Sequence, residues 1–105
     1  MTARSRILVM PRAGDEILRI GAWWRRERAL APDTFSREFR AAIALLRVLP
    51  NCGRVCNALG FEGVRRLLLR RTRYHLYYRF DSRMKTIIIL AIRHTSRGPT
   101  EGAAT

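Results

Sequence analysis

Residues 64–97 read VRRLLLRRTRYHLYYRFDSRMKTIIILAIRHTSR, and this stretch decides the fold. It contains three short apolar runs, at 64–69, 74–80 and 86–92, which are separated by short polar segments. In the second run, apolar side chains alternate with His75, Tyr77 and Arg79, as in a strand with one core face and one outward face. The third run is continuously β-branched or aliphatic, which predicts an interior strand covered on both faces. Together the runs predict a three-stranded meander.

The segment before this meander predicts one strand and one helix. Residues 7–10 form a short apolar run, and Pro11 suits the first turn of a helix because its missing N–H costs nothing there. The helix is expected over 12–29, with Asp15 and Glu16 close to the positive end of its dipole. Its predicted buried face is Ile17, Ile20 and Trp24.

A second helix follows residues 31–34, where Asp33 or Thr34 can cap its first turn with a side-chain oxygen. The apolar residues expected to be buried along this helix recur at helical spacing; they are Phe35, Phe39, Ala42, Ile43, Leu46 and Leu49. Residues 50–63 are then expected to form a loop. The order β-α-α-β-β-β predicts an α+β fold, in which a helical hairpin packs on a small, mainly antiparallel sheet.

Length and charge limit the functions that need to be considered. A chain of 105 residues predicts a single domain, expected over 1–97, with a flexible tail at 98–105. The net charge of +13 indicates an acidic partner such as nucleic acid, anionic lipid or an acidic protein segment. Residues 64–97 carry ten Lys or Arg residues and a single carboxylate, Asp81, so much of this charge lies on the predicted strands.

The remaining composition argues against a metal centre and a membrane segment. Cys52 and Cys56 form too small a ligand set for a closed zinc site, so two reduced thiols, no metal and no cofactor are expected. No apolar run approaches the roughly 18 residues of a membrane span, and no signal peptide is recognisable. We therefore expect a cytoplasmic protein without a membrane partner.

Several short motifs resemble the RelE/ParE toxins of bacterial type II toxin–antitoxin pairs. They are Leu49-Pro50, Gly53-Arg54, Gly63-Val64-Arg65-Arg66-Leu67, Tyr74-His75-Leu76-Tyr77-Tyr78-Arg79, residues 87–92, His94 and Arg97-Gly98-Pro99. The resemblance covers about residues 7–99, although the N-terminal half matches by pattern more than by residue. It implies either of two functions: ParE-like members inhibit DNA gyrase without chemistry, whereas RelE-like members cut messenger RNA on the ribosome.

The nuclease alternative requires acid–base groups and a cation beside the scissile phosphate. The residues that could supply them are His75 and His94 as an acid–base pair, with Arg66, Arg79 and Arg97 as the electrostatic clamp. No tyrosine follows Tyr78, so the C-terminal tyrosine of many RelE-like nucleases is missing. We therefore favour the non-enzymatic, gyrase-inhibiting interpretation over the endoribonuclease. A basic nucleic-acid-binding domain without catalysis is a second alternative.

The resemblance also implies partners and contact residues. The expected partner is an acidic, ParD-like or related antitoxin, through which the chain would reach operator DNA. Trp23, Phe35 and Phe39 are the candidate docking residues for it, although core packing also explains such aromatics. The candidate target-binding residues are Arg65, Arg66, Arg79, Arg93, His94 and Arg97; a solvated basic surface is the plainer explanation for arginines in turns and on strands.

Overall fold

The computed structural model describes residues 4–57 and 59–96. Within these ranges the chain forms two helices and five strands. They are β1 Arg6–Val9, α1 Pro11–Glu27, α2 Thr34–Val48, β2 Arg54–Val55, β3 Arg65–Leu69, β4 Tyr74–Asp81 and β5 Thr86–His94. The prediction of a loop over 50–63 missed β2, a two-residue strand too short to leave a periodic signal. The predicted tail at 98–105 lies outside the described residues.

The strands form one sheet in the order β1-β5-β4-β3-β2. β1 runs parallel to β5, whereas the other neighbouring strands are antiparallel. Both helices pack on one face of this sheet, which confirms the predicted α+β class. β5 lies between β1 and β4, as expected for an interior strand.

The core lies between the helices and one face of β4 and β5. Phe35 and Leu46 of α2 are fully buried there, and Ile17, Ile20 and Trp24 of α1 pack against the same cluster, as predicted. Gross stabilisation from burying each large apolar side chain is roughly 1.5–3 kcal/mol. The prediction was wrong for Leu49, which is 54% exposed because α2 ends at Val48 and the chain then leaves the helical repeat.

Two expectations about helix starts were also wrong. Asp33 occupies the N-cap position of α2, yet its side chain accepts no capping hydrogen bond, and the Thr34 hydroxyl instead donates to the Ala31 carbonyl oxygen at 2.9 Å. The Thr34 side chain thus bonds back to the residues before α2, and neither Asp33 nor Thr34 caps the helix. In α1, Pro11 is the first residue, so Glu16 lies beyond the first turn and is buried instead of facing the helix dipole.

The face of the sheet turned away from the helices is partly covered. Val64, Tyr77 and Ala91 form a second buried cluster, against which Cys56 and Leu59 pack. Tyr77, predicted to face outward, does lie on this side, but Cys56, Leu59 and Val64 cover it. Along β5 this cover is incomplete, because Ile88 and Leu90 are only half-buried.

One tyrosine connects this covering segment to the core. The Tyr78 hydroxyl accepts a hydrogen bond from the Gly53 N–H and donates one to the Pro50 carbonyl oxygen, both at 2.9 Å. A Cβ atom at Gly53 would lie 2.6 Å from that hydroxyl oxygen. Only glycine therefore permits this approach of the backbone to the Tyr78 ring.

Neither helix in the described part of the chain is long and apolar enough to cross a membrane.

Replacing Gly53 by alanine should destabilise the protein by about 1–3 kcal/mol, because the new methyl group must displace Tyr78 or backbone. Gly14→Ala is the matched control: Gly14 lies in α1, and its Cβ would meet only the Val9 side chain at an ordinary 3.8 Å. That variant should gain about 0.5–1 kcal/mol from helix propensity. Urea unfolding measures both, and equal effects of the two substitutions would contradict the packing at Gly53.

Candidate functional site

Strand register determines which basic residues share a surface. Arg66 pairs with Tyr77, and Leu68 pairs with His75, across β3 and β4. Because side chains alternate between faces, Arg66, His75 and Arg79 all lie on the side of the sheet without helices, here called the open face. Arg79 is exposed there, with its guanidinium 6.0 Å from the centre of the Phe61 ring. The structure therefore brings together three of the predicted site residues.

Arg65 does not belong to this group. It pairs with Tyr78 and lies on the opposite side of β3 from Arg66. Its Nη1 donates hydrogen bonds to the Gly53 carbonyl oxygen at 2.8 Å and the Asn51 carbonyl oxygen at 3.2 Å. Arg65 thus holds the segment before β2 in place, and this structural use speaks against its prediction as a free target-binding residue.

The two histidines also lie on opposite sides of the sheet. Tyr74 pairs with His94, and the next pair along the strands joins His75 with Arg93. The Tyr74 ring packs against Phe35 of α2, so His94 lies on the helix side, with its ring centre 5.1 Å from that of Tyr74. His75 faces the other way. The expectation that they form an acid–base pair is therefore wrong, because consecutive pairs in an antiparallel ladder point to opposite faces.

His94 has a defined tautomer. Its Nδ1 accepts a hydrogen bond from the Ser96 N–H at 3.2 Å and lies 2.9 Å from the Ser96 hydroxyl oxygen. A nitrogen that accepts from a backbone N–H carries no proton, so the neutral ring has its proton on Nε2. His94 therefore presents an N–H donor on its outer edge.

Arg93 is the predicted site residue whose surroundings differ most from expectation. It is 8% exposed and forms a buried ion pair with Glu16 of α1. The same carboxylate accepts a hydrogen bond from the Ile92 N–H at 3.0 Å, and the exposed Arg12 lies 3.8 Å from it. This pairing speaks against the prediction of Arg93 as a target-binding residue, because Glu16 already balances its charge inside the protein.

Glu16 was missed as a site residue, although the sequence contained a signal for it. It lies three residues after Ala13 and four before Ile20, both on the core face of α1, so it falls within the apolar stripe. A carboxylate in that stripe must find a partner when the helix packs.

The surroundings of His75 favour its neutral form. Burial, followed by the nearby charges of Arg66 and Arg73, lowers the pKa of His75 below its usual 6.5. Its Nδ1 is buried and has no hydrogen-bond partner among residues 4–57 and 59–96. Burial raises the pKa of the neighbouring Tyr77 above 10.0, an effect that Arg66 partly offsets. At neutral pH, His75 is therefore a neutral imidazole that lies between cationic residues. A neutral imidazole has one ring nitrogen that can accept a proton.

Of the predicted antitoxin-docking residues, only Trp23 is clearly accessible. It is 38% exposed and packs edge-on against Trp24, with ring centres 5.8 Å apart. Phe39 is half-buried and stacks on Phe35, which is 1% exposed. The proposal of Phe35 as a docking residue is therefore wrong, because the hydrophobic core already occupies it. Arg97 lies outside the described residues.

Within residues 4–57 and 59–96, no three His, Cys, Asp or Glu side chains are grouped in a way that could hold a metal ion.

Comparison with known proteins identifies the family. A family model described as the ParE toxin of the type II toxin–antitoxin system parDE matches residues 7–99. The chain belongs to the ParE toxin family. No curated protein sequence matches the chain significantly.

Solved structures share the fold of this ParE family member. The RelBE2 toxin–antitoxin complex from Mycobacterium tuberculosis aligns with a TM-score of 0.60 and 21% identity, over 87% of this chain and 98% of that one. The chromosomal ParDE system from P. aeruginosa aligns with a TM-score of 0.61 and 20% identity, over 89% of this chain and 98% of that one. Both a RelBE and a ParDE protein therefore have this fold, so the fold alone does not determine the target.

Replacing Glu16 by glutamine should lower the free energy of unfolding by about 3–5 kcal/mol, because Arg93 would then be a buried charge without its counter-ion. Asp15→Asn removes the same charge from the exposed side of the same helical turn and should change stability by less than about 0.5 kcal/mol. Urea unfolding of both variants tests this. Equal losses would mean that the Glu16–Arg93 pair contributes nothing beyond net charge.

His75 should make the protein less stable in mild acid. Because its pKa is lower when folded than when unfolded, the unfolded chain takes up the proton first as the pH falls below about 6.5, and folding weakens. Between about pH 7.5 and about pH 5.5, His75→Asn should lose less stability than the parent protein. Titration of the ring by NMR provides the direct check, and a folded pKa at or above 6.5 would contradict the environment described for His75.

Proposed function

We propose that this ParE family toxin inhibits DNA gyrase by binding it, without catalysis, and is neutralised by a cognate acidic antitoxin. The observation that carries the proposal is the placement of His75 and His94 on opposite sides of the sheet. RNA cleavage by 2′-hydroxyl attack requires a proton acceptor and a proton donor beside one phosphate. These two histidines cannot both reach it.

The open face offers a basic contact surface instead. Arg66 and Arg79 lie there without an ion pair within residues 4–57 and 59–96, whereas Arg93 is neutralised by Glu16. Arginine side chains of this kind suit carboxylates on a protein partner, and exposed charges act mainly through association rate and orientation. Such contacts need no reacting group.

The antitoxin part of the proposal has two supports. The similar solved structures are a ParDE system and a RelBE2 toxin–antitoxin complex, and the chain itself carries a net charge of +13. A small acidic protein would be attracted by that charge and would shield the like charges of the toxin from one another.

An endoribonuclease is the second candidate, because one observation favours it. His75 is held neutral beside Arg66 on the open face, which is how a general base beside a phosphate-binding cation would be arranged. A nuclease of this kind would have to obtain its general acid from another group or from the ribosome.

Pulse-labelling of DNA and protein synthesis, minutes after induction of the chain without antitoxin, separates the two candidates. Inhibition of gyrase stalls replication first, so DNA synthesis should fall while translation continues. Cells that also produce the acidic antitoxin serve as the control and should show neither loss. An early fall in translation with continuing DNA synthesis would overturn the gyrase proposal in favour of the nuclease.

Reversing the charge of Arg79 should weaken target binding, with an effect that shrinks as salt is raised, because exposed charges are screened. The matched control is Arg83→Glu, which makes the same charge change at an exposed position in the β4–β5 turn. Titration of purified gyrase with each variant in a supercoiling assay provides the measurement. If the two substitutions weaken inhibition equally, the open face is not the binding surface.

A further inference from the structure

A pocket of about 310 Å³ lies between α1 and the end of β5. It exists because β1 pairs with β5 only as far as Val9 opposite Ile89, so α1 becomes the neighbour of the remaining residues of β5. Ile20 and Trp23 of α1 form one wall, and Tyr74 and Ile92 form the other. These four side chains give the pocket apolar and aromatic walls, and the rest of its lining is polar or charged.

Its polar groups are mainly hydrogen-bond donors. Arg19 lines the pocket, is exposed and forms no ion pair among the described residues. Arg93 binds Glu16 through Nη1, whereas its Nε and Nη2 are buried and have no hydrogen-bond partner within residues 4–57 and 59–96. These two N–H groups form one edge of the guanidinium, the edge that binds a carboxylate with two parallel hydrogen bonds. His94 adds its Nε2 proton to the same wall.

The charges of the residues around the pocket indicate which chemical class of ligand would fit it. Glu16 is already shared between Arg93 and Arg12, which leaves Arg19 as an uncompensated cation in the pocket. A single negative charge on the ligand would balance Arg19. The second negative charge of a phosphate would have no cation to balance it and would be repelled by the Glu16 carboxylate. The aromatic walls require an apolar group next to that charge. A carboxylate on or beside a large apolar side chain meets both requirements.

We propose that this pocket anchors an acidic side chain of the antitoxin, which inserts between Arg19 and His94 while a neighbouring apolar residue packs against Trp23. This inference rests on the proposed function, since it needs an acidic protein partner, and it specifies where and through which chemistry that partner is held. Charge complementarity with the +13 chain selects an acidic peptide segment as the occupant.

Isothermal titration calorimetry at about physiological salt tests the pocket with two short capped peptides, one of alternating Glu and Leu and one of alternating Gln and Leu. Only the Glu peptide should bind, and Arg19→Gln should weaken it about tenfold, as expected for the loss of a charge-assisted hydrogen bond. Arg26→Gln, the same change on α1 outside the pocket, should weaken it by less than about twofold. The Trp23 indole N–H signal should shift on binding.

Equal weakening by Arg19→Gln and Arg26→Gln would overturn the proposal, because it would reduce binding to net-charge attraction. Competition by a short oligoribonucleotide for the same Arg19-dependent site would overturn it as well, in favour of a nucleic-acid site. Calorimetry with a purified cognate acidic antitoxin tests the pocket and the proposed partner separately. If the antitoxin binds Arg19→Gln as tightly as the parent chain, the pocket is not its binding site, although an acidic antitoxin is still the partner. If it binds neither protein, the proposed partner is wrong.

Discussion

The buried Glu16 carboxylate is the interaction on which the rest of the structure depends. β5 is an interior strand only along its first half, because β1 ends at Val9. Beyond that point Glu16 accepts the Ile92 N–H and binds Arg93, so a helix side chain takes over part of the role of a neighbouring strand. A buried carboxylate and a buried guanidinium are each costly alone, and their pairing fixes α1 at one position along β5. The pocket between them follows from that position.

A local irregularity in β5 determines the functional interpretation. Tyr77 pairs with Ala91 and Tyr78 with Ile89, so the ladder skips Leu90. A bulge of this kind reverses the facing of every later residue in its strand. It places Ile92 and His94 on the helix side together with Ile87 and Ile89. Without it, His94 would share the open face with His75, and the acid–base pair of a nuclease would be feasible. One inserted residue thus separates the two histidines, which is the arrangement that supports the proposed non-catalytic function.

Most of the fold could be predicted because its elements have strong local periodicity. α2 and β4 repeat at 3.6 and 2 residues, and Pro11 marked the start of α1 within a residue of its observed position. The site could be predicted only in part, because its decisive features are long-range. The pairing of Glu16 with Arg93, the cover over Tyr77 and the bulge at Leu90 each depend on residues distant in sequence or on register. Alternation within the 74–80 run placed His75 and Arg79 on one face, whereas the position of Arg66 beside them follows only from the register of β3 against β4.

Hydrogen exchange of the Ile92 backbone amide tests most directly whether Glu16 closes the unpaired part of β5. In the parent protein this amide should exchange as slowly as those of residues 87–89, near the limit set by global unfolding, and Glu16→Ala should release it. Fast exchange of Ile92 in the parent protein, at the rate of an unpaired strand edge, would contradict the account, because α1 would then not be anchored where the pocket and the Arg93 ion pair require it.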